Sequence, residues 1–264
     1  MFNVFLLFCI PLAIMYYIVF IWKWKKKPQS FYPDERPLVF GHRGSPTHIT
    51  ENTLASFEKA INQGVDGLEF DVRLTKDKQI VIFHDSDLQR LAGVNKKISE
   101  LTYKQLQEIQ LEQDQTIPRL DDFVPLLDKI KAVNIEIKSD GAFKGFGVVK
   151  PLINFLDKNT SDGKCIVSSF NPLILLRLKL KRSKTILGYL YNRSMIFHPW
   201  NNLVWMCRIR PENFHVHYSL LDSWIVKWAR GKGMKINSYT INDKKVFDGA
   251  KIDGAFTDNI EYLK

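Results

Sequence analysis

Three carboxylates, two histidines and two cations stand out in this chain because of where they fall in short apolar runs. In GLEFDVR, Leu68, Phe70 and Val72 share one face of a strand while Glu69, Asp71 and Arg73 share the other. In VNIEIK the same alternation sets Glu136 and Lys138 opposite Ile135 and Ile137, and in QIVIFHD it sets His84 on the side of Ile82 and Ile80. Strands covered on both faces leave an acid no place but the interior, where burial costs on the order of several kcal/mol for each ion. Two remedies exist. One is a divalent cation, and a ligand set of oxygens alone, Glu69, Asp71 and Glu136, suits calcium or magnesium rather than zinc. The other is a salt-bridge network pairing Glu69 or Asp71 with Arg73 or Arg43, and Glu136 with Lys138.

His42 follows an apolar run that ends at Gly41, His84 ends another, and each has a polar neighbour, Arg43 or Asp85. Imidazoles titrate near neutrality, so such a pair can exchange protons with a nucleophile and a leaving group. Arg43 and Lys138 suit anionic oxygens, and a divalent cation neutralises a phosphate. Together these groups describe a site for phosphoryl transfer, which needs no redox cofactor. Gly41 and Gly44 serve either a close approach of phosphate to the backbone or a tight turn. Glu51 lies just ahead of a helix, where an acid favours the helix dipole whatever else it does. His48 and His198 read as ordinary structural residues, as do His215 and His217. The three cysteines, Cys9, Cys165 and Cys207, have neither disulfide-framework nor metal-site spacing.

These groups need strands that deliver them to one mouth. Candidate strands run over Leu38 to Gly41, Gly67 to Val72, Gln79 to His84, Val133 to Lys138, Lys164 to Ser169, Ile186 to Leu190, Phe214 to His217, Lys235 to Ile241 and Gly254 to Thr257. Helical patterns lie between them. Asn52 or Thr53 caps one whose Leu54, Phe57 and Ile61 share a face and which Gly64 ends; Asn171 with Pro172 starts another. Strands alternating with helices predict a parallel sheet closed into a (β/α)8 TIM barrel. Nine candidates for eight places leave one outside. The second and third are the doubtful pair, because Thr75 to Lys78 is too short for a crossover helix and reads as a hairpin turn, which would bring His84 close to Glu69 and Asp71.

The N-terminus is a different material. No charged side chain occurs from Phe2 to Trp22, a run that at about 1.5 Å per residue spans a bilayer core of about 30 Å. The sequence therefore predicts a single retained transmembrane helix over 1–24, with Trp22 and Trp24 at the interface, a basic linker over 25–37 and the catalytic barrel over 38–264. Lys23, Lys25, Lys26 and Lys27 behind the apolar run would keep the barrel in the cytoplasm. They also supply part of the net charge of +10, a balance that suits an anionic substrate, a lipid surface or simply a solvated basic face. Nothing in the sequence points to nucleic acid or to a protein partner.

In order along the chain, GHRG, ENTLASF, GVDGLEFDVRLTKD, IVIFHD, IPRLDD, NIEIK, SSFNP, INSYTIN and DGAFTD together resemble the glycerophosphodiester phosphodiesterase family. That family comprises metal-dependent (β/α)8 barrels related to the phosphoinositide phospholipases, and the resemblance runs from about Leu38 to Leu263. It implies His42 and His84 as the acid/base pair, Glu69, Asp71 and Glu136 as metal ligands, and Arg43, Glu51 and Lys138 as contacts to metal or to the phosphate end of the substrate. It also implies hydrolysis of a glycerophosphodiester to sn-glycerol 3-phosphate and an alcohol, with the glycerol hydroxyl as internal nucleophile. Thr50 stands where the family usually has proline, and Tyr239, a pocket-wall position, where it usually has tryptophan.

The predicted anchor raises an alternative substrate, since some anchored members similar in layout act on lysophospholipids as a phospholipase D, giving lysophosphatidic acid. Met195, Phe197, Trp200, Trp205 and Met206, beside Arg208 and Arg210, then offer either a bilayer-docking surface or ordinary barrel packing. A catalytically inactive, membrane-anchored binding domain is the reading from another class; it would lack a histidine or a ligand, and none is missing.

Overall fold

In the computed structural model, which describes residues 2–160, 163–192, 194 and 199–263, helix α1 (Phe2–Tyr16) comes first and the barrel begins at β1 (Leu38–His42). Helix α2 (Leu54–Asn62) crosses to β2 (Gly67–Leu74), which pairs parallel with β1. The Thr53 hydroxyl caps α2 by accepting from the Ser56 amide at 3.2 Å, and Phe57 and Ala60 are its buried face. At Thr75 the chain turns back, and β3 (Ile80–Ile82) pairs antiparallel with β2, Val72 opposite Ile82. The third candidate strand is thus a hairpin partner outside the barrel, as the short connection requires.

The hairpin opens into a small excursion of β4 (Asp87–Leu88), α3 (Gln89–Ala92), β5 (Val94–Lys97) and α4 (Tyr103–Gln107). It has an apolar cluster of its own, including Val81, Phe83, Leu88, Ile98 and Leu106. A 3-10 run, Leu120–Lys129, then lies where a second crossover helix would, and its Phe123 packs against Phe57 and Phe70.

From there the alternation is regular. It runs β6 (Ala132–Ile137), α5 (Phe146–Asn159), β7 (Cys165–Ser169), α6 (Pro172–Lys181), β8 (Ile186–Tyr191), α7 (Pro199–Ile209), β9 (Asn213–His217), α8 (Trp224–Gly231), β10 (Lys235–Tyr239), α9 (Lys244–Gly249) and β11 (Gly254–Thr257). Asn171 caps α6 by accepting from the Leu173 amide at 3.0 Å, with Pro172 in the first turn. Strand β11 pairs with β1, and β1 with β2, so eight parallel strands close into a (β/α)8 barrel. Residues such as Leu68, Phe70 and Val72 face the helices, while Glu69 and Asp71 face the interior.

The segment expected as a linker lies across the N-terminal end of the barrel. Tyr32 is buried there, its hydroxyl 2.8 Å from Asn213 Oδ1 and accepting from Asn237 Nδ2 at 2.7 Å. Lys26 donates to the Pro211 carbonyl at 3.1 Å; Lys27 donates to the Thr185 carbonyl at 2.6 Å and lies 3.0 Å from Glu212.

The predicted membrane-spanning helix is not present: among the described residues no helix is long and apolar enough to cross a membrane. Helix α1 ends after 15 residues, about 22 Å at 1.5 Å per residue, short of a hydrocarbon core of about 30 Å. The next turn, Tyr17–Ile21, is π-helical and docks on the barrel. Val19 is buried, its carbonyl accepts from Trp228 Nε1 at 2.8 Å, and Lys232 donates to the carbonyls of Ile18 and Trp22 at 3.3 and 2.6 Å. Trp24, expected at a lipid interface, is buried against Trp228, and Trp22 lies under the Arg210 guanidinium, 4.2 Å from the ring centroid. The single-pass membrane localisation and the cytoplasmic orientation inferred from the lysines lose their basis, because no helix among the described residues makes a span to orient.

Candidate active site

Strands β2 and β6 pair with Asp71 opposite Glu136 and Glu69 opposite Asn134. This register gathers the three predicted ligands: one carboxylate oxygen from each of Glu69, Asp71 and Glu136 lies within 4.8 Å of the others, and all three residues are almost fully buried. Lys138 donates to Glu136 Oε1 at 2.7 Å and lies 3.3 Å from Asp71 Oδ1. Arg43 Nε is 3.4 Å from Asp71 Oδ2, which also accepts from Asn52 Nδ2 at 3.0 Å. Arg73 takes no part, binding Asp140 and the His84 carbonyl instead. Part of the anticipated salt-bridge network is therefore real.

It does not balance the cluster. Burial acts to raise the Asp71 carboxyl, but Lys138 and Arg43 outweigh it and hold it low. Burial and then the charge of Asp71 push the Glu69 carboxyl well above the usual carboxylate range, and burial raises Glu136 despite Lys138. Two cations facing three buried acids leave negative charge uncompensated, and a hard, all-oxygen donor set of this kind fits a divalent cation.

The histidines come from the end of β1 and from just past β3. His42, at the end of β1, has Nδ1 2.6 Å from Asp258 Oδ1, just past β11, and Nε2 3.9 Å from Glu69 Oε2. Asp258 Oδ2 accepts from Asn242 Nδ2 at 2.9 Å. His84 has Nδ1 2.6 Å from Asp85 Oδ1, and Asp85 Oδ2 accepts from Arg90 Nε at 2.7 Å. Burial disfavours the His42 imidazolium, but the Asp258 hydrogen bond and the Glu69 charge prevail and raise its pKa. For His84 burial wins, helped by Lys138 and Arg43 against Asp71 and Asp85, and its pKa is lowered. Both rings, Glu69, Glu136, Arg43 and Lys138 line one cavity of about 310 Å³.

Tyr239 is a wall of that cavity, its hydroxyl donating to the Tyr191 carbonyl at 2.8 Å and its ring edge-on to Phe170 and His217. Glu51 stands outside the three-carboxylate cluster, accepting from Arg43 at 2.9 Å and from Arg90 at 2.6 Å, and so ties the arginine beside Asp71 to the arginine behind Asp85. The glycines of GHRG make a tight turn: Gly44 has φ of +93°, and a Cβ there would overlap Ser56 on α2. Of the aromatic stretch before β9, Met195, Phe197 and His198 lie outside the described residues, as does the side chain of Trp200, while Met206 is fully buried and Trp205 packs on the core.

Asp258 and Arg90 escaped the sequence reading, which took Asp85 only as the polar neighbour of His84 and Asn52 only as a candidate helix cap. A signal existed for Asp258: like His42 and His84 it is a polar residue directly after an apolar strand, and the closure pairing Gly41 with Thr257 carries the next residue of each strand, His42 and Asp258, to the same mouth.

The chain is 29% identical over 239 residues to a glycerophosphodiester phosphodiesterase of Caldanaerobacter subterraneus subsp. tengcongensis, a match covering 86% of this chain and 96% of that protein. Its fold is similar to the crystal structure of a glycerophosphodiester phosphodiesterase from Thermotoga maritima, with a TM-score of 0.74 and 32% identity over 88% of this chain and 98% of that one. It is similar also, with a TM-score of 0.74 and 26% identity over 87% and 94% of the two chains, to a phosphodiesterase from Oleispira antarctica solved in complex with the product sn-glycerol-3-phosphate. The glycerophosphoryl diester phosphodiesterase family matches residues 42–262, the span that carries every group described in this site, and the chain belongs to that family.

Proposed function

We propose that this chain hydrolyses glycerophosphodiesters to sn-glycerol 3-phosphate and an alcohol, with Glu69, Asp71 and Glu136 holding calcium or magnesium and with His42 and His84 moving the protons. The observation that carries the reading is the convergence on one cavity of a buried carboxylate cluster and two histidines, each with Nδ1 tied to a carboxylate. A divalent cation bound there supplies charge neutralisation for the phosphate and makes a coordinated hydroxyl easier to deprotonate.

The chain's own groups do the rest. Arg43, fixed by Glu51, and Lys138, fixed by Glu136, hold the non-bridging phosphate oxygens. With Nδ1–H donated to Asp258 or Asp85, each imidazole presents Nε2 to the cavity, where one ring takes the proton of the attacking glycerol hydroxyl and the other returns one to the leaving alcohol; water then opens the cyclic phosphate to glycerol 3-phosphate with the two rings' roles reversed. The catalytic unit in this reading is 38–264, with 25–37 closing its floor. The lysophospholipase D reading rested on a membrane span, and no helix among the described residues can make one. An inactive binding domain would lack one of these groups.

Phosphorus NMR of the purified full chain with glycerophosphocholine tests this, with calcium, with magnesium and with chelator. Glycerol 3-phosphate should form with metal, stop on chelation and resume on readdition. No glycerol 3-phosphate with either metal would overturn the proposal.

A further inference from the structure

Deeper than Glu136 and Asp71, the same cavity has a floor of neutral polar groups that the proposed chemistry does not use. His215, on β9, is fully buried, and neither ring nitrogen has a hydrogen-bond partner among the described residues. Asn134, on β6, is buried too; its Nδ2 donates to Ser168 Oγ at 3.0 Å, while its Oδ1 has no partner among the described residues. Both line the cavity that holds His42, Glu69, His84 and Glu136. Asn134 precedes Glu136 by two residues on the same strand face, about 6.6 Å along the strand.

The neighbourhood is shaped around the imidazole. Gly188, on β8, leaves it room: a Cβ there would stand 2.6 Å from His215 Cε1 and 2.8 Å from Nε2. The Phe256 ring lies on another side, 5.1 Å between centroids. Burial pulls the His215 pKa down to about 3, so at neutral pH the ring offers one N–H and one lone pair. Buried polar atoms without partners are costly, and several of them on one cavity floor call for a ligand that both donates and accepts. An uncharged alcohol does this, whereas a phosphate belongs with Arg43 and Lys138 at the mouth.

We infer that His215 and Asn134 receive the terminal hydroxyl of the glycerol half of the substrate, and so select glycerol over shorter or deoxygenated alcohols on that side of the phosphate. This rests on the function proposed above. A hydroxyl one carbon from the ester stays with the phosphate; the terminal one, at the far end of the three-carbon chain, reaches the floor.

The test compares kcat/KM for glycerophosphocholine with that for its analogue lacking the terminal hydroxyl, the 1,2-propanediol phosphocholine diester, in wild type, His215→Phe and Asn134→Leu. Wild type should prefer glycerophosphocholine by about tenfold or more, and each variant should bring the ratio toward one. His215→Phe keeps a flat ring against Phe256; if it fails to fold, the Asn134→Leu ratio decides. A wild-type ratio near one, or variants that lose both substrates in equal proportion, would overturn the inference and leave bound water as what those atoms hold. A wild type that hydrolyses neither diester removes the proposed function along with it.

Discussion

Asp258→Asn is the sharpest probe of how the site works, because its cost follows from hydrogen-bond polarity alone. In the wild type one carboxylate serves two donors: Oδ1 accepts from His42 Nδ1 at 2.6 Å and Oδ2 accepts from Asn242 Nδ2 at 2.9 Å. The Asn242 side chain cannot turn over to help, since its own Oδ1 accepts from the Asp258 amide at 2.8 Å and lies 3.2 Å from the Thr257 hydroxyl. An asparagine has only one oxygen to offer. If that oxygen faces Asn242, its amide faces His42 and forces the proton onto Nε2, the atom that must work in the cavity. If it faces His42, two NH₂ groups oppose each other.

Losing the charge-assisted hydrogen bond to His42 costs about 1.5–3 kcal/mol, and the Asn242 pair, being exposed, adds little because water can take its place. At about 1.4 kcal/mol per decade that is a fall in kcat of about 10–10². KM and the metal dissociation constant, measured by glycerol 3-phosphate release and by calorimetry, should stay within about threefold, because Asp258 faces neither phosphate nor the carboxylate cluster. The pH profile should change in a defined sense. The Asp258 hydrogen bond and charge raise the His42 pKa, so the limb belonging to His42 should move to lower pH. A variant with kcat near wild type would refute the orienting role of Asp258.

Three further outcomes are expected. His42→Ala and His84→Ala should each lower kcat by about 10²–10⁴ while calorimetry still registers metal binding; a variant of either with near-normal turnover would remove that ring from the proton-transfer pair. Glu136→Gln should weaken metal binding by at least about tenfold, and an unchanged affinity would take Glu136 out of the ligand set. Asp66 accepts from Arg36 at 2.6 and 2.7 Å, from the Val39 amide and from Lys131, and although burial opposes this its pKa falls from 3.8 to about 2. A carboxylate depressed on folding contributes stability above its unfolded pKa and loses it as pH falls from about 3.8 toward 2, so Asp66→Asn should flatten the fall of Tm across that window; equal slopes would contradict the assignment.

The interior carboxylates were legible because a strand has a period of two, and a closed parallel barrel leaves an alternating acid nowhere but inside. The hairpin at Thr75 was legible from length alone. Hydropathy, by contrast, records how apolar the first residues are but not that the helix stops at Tyr16 and that the following turn is held by Trp228 on α8 and by Lys232 just past its end. Partners such as Asp258 and Asn134 are hidden for a related reason: their neighbours are set by barrel closure and register, which join residues far apart in the chain. Glu51 shows the limit of single-residue reading, since an acid ahead of a helix proves to be a clamp between two arginines.

Closure through β11 gives the chain a built-in order of completion. His42 emerges early in synthesis and Asp258 only 216 residues later, after both histidines and all three candidate ligands have been made. A nascent or prematurely terminated chain lacking the last strand would carry every metal-binding and proton-transferring group and yet leave one imidazole unoriented. The Asp258 contact that orients His42 then arrives only with the final strand.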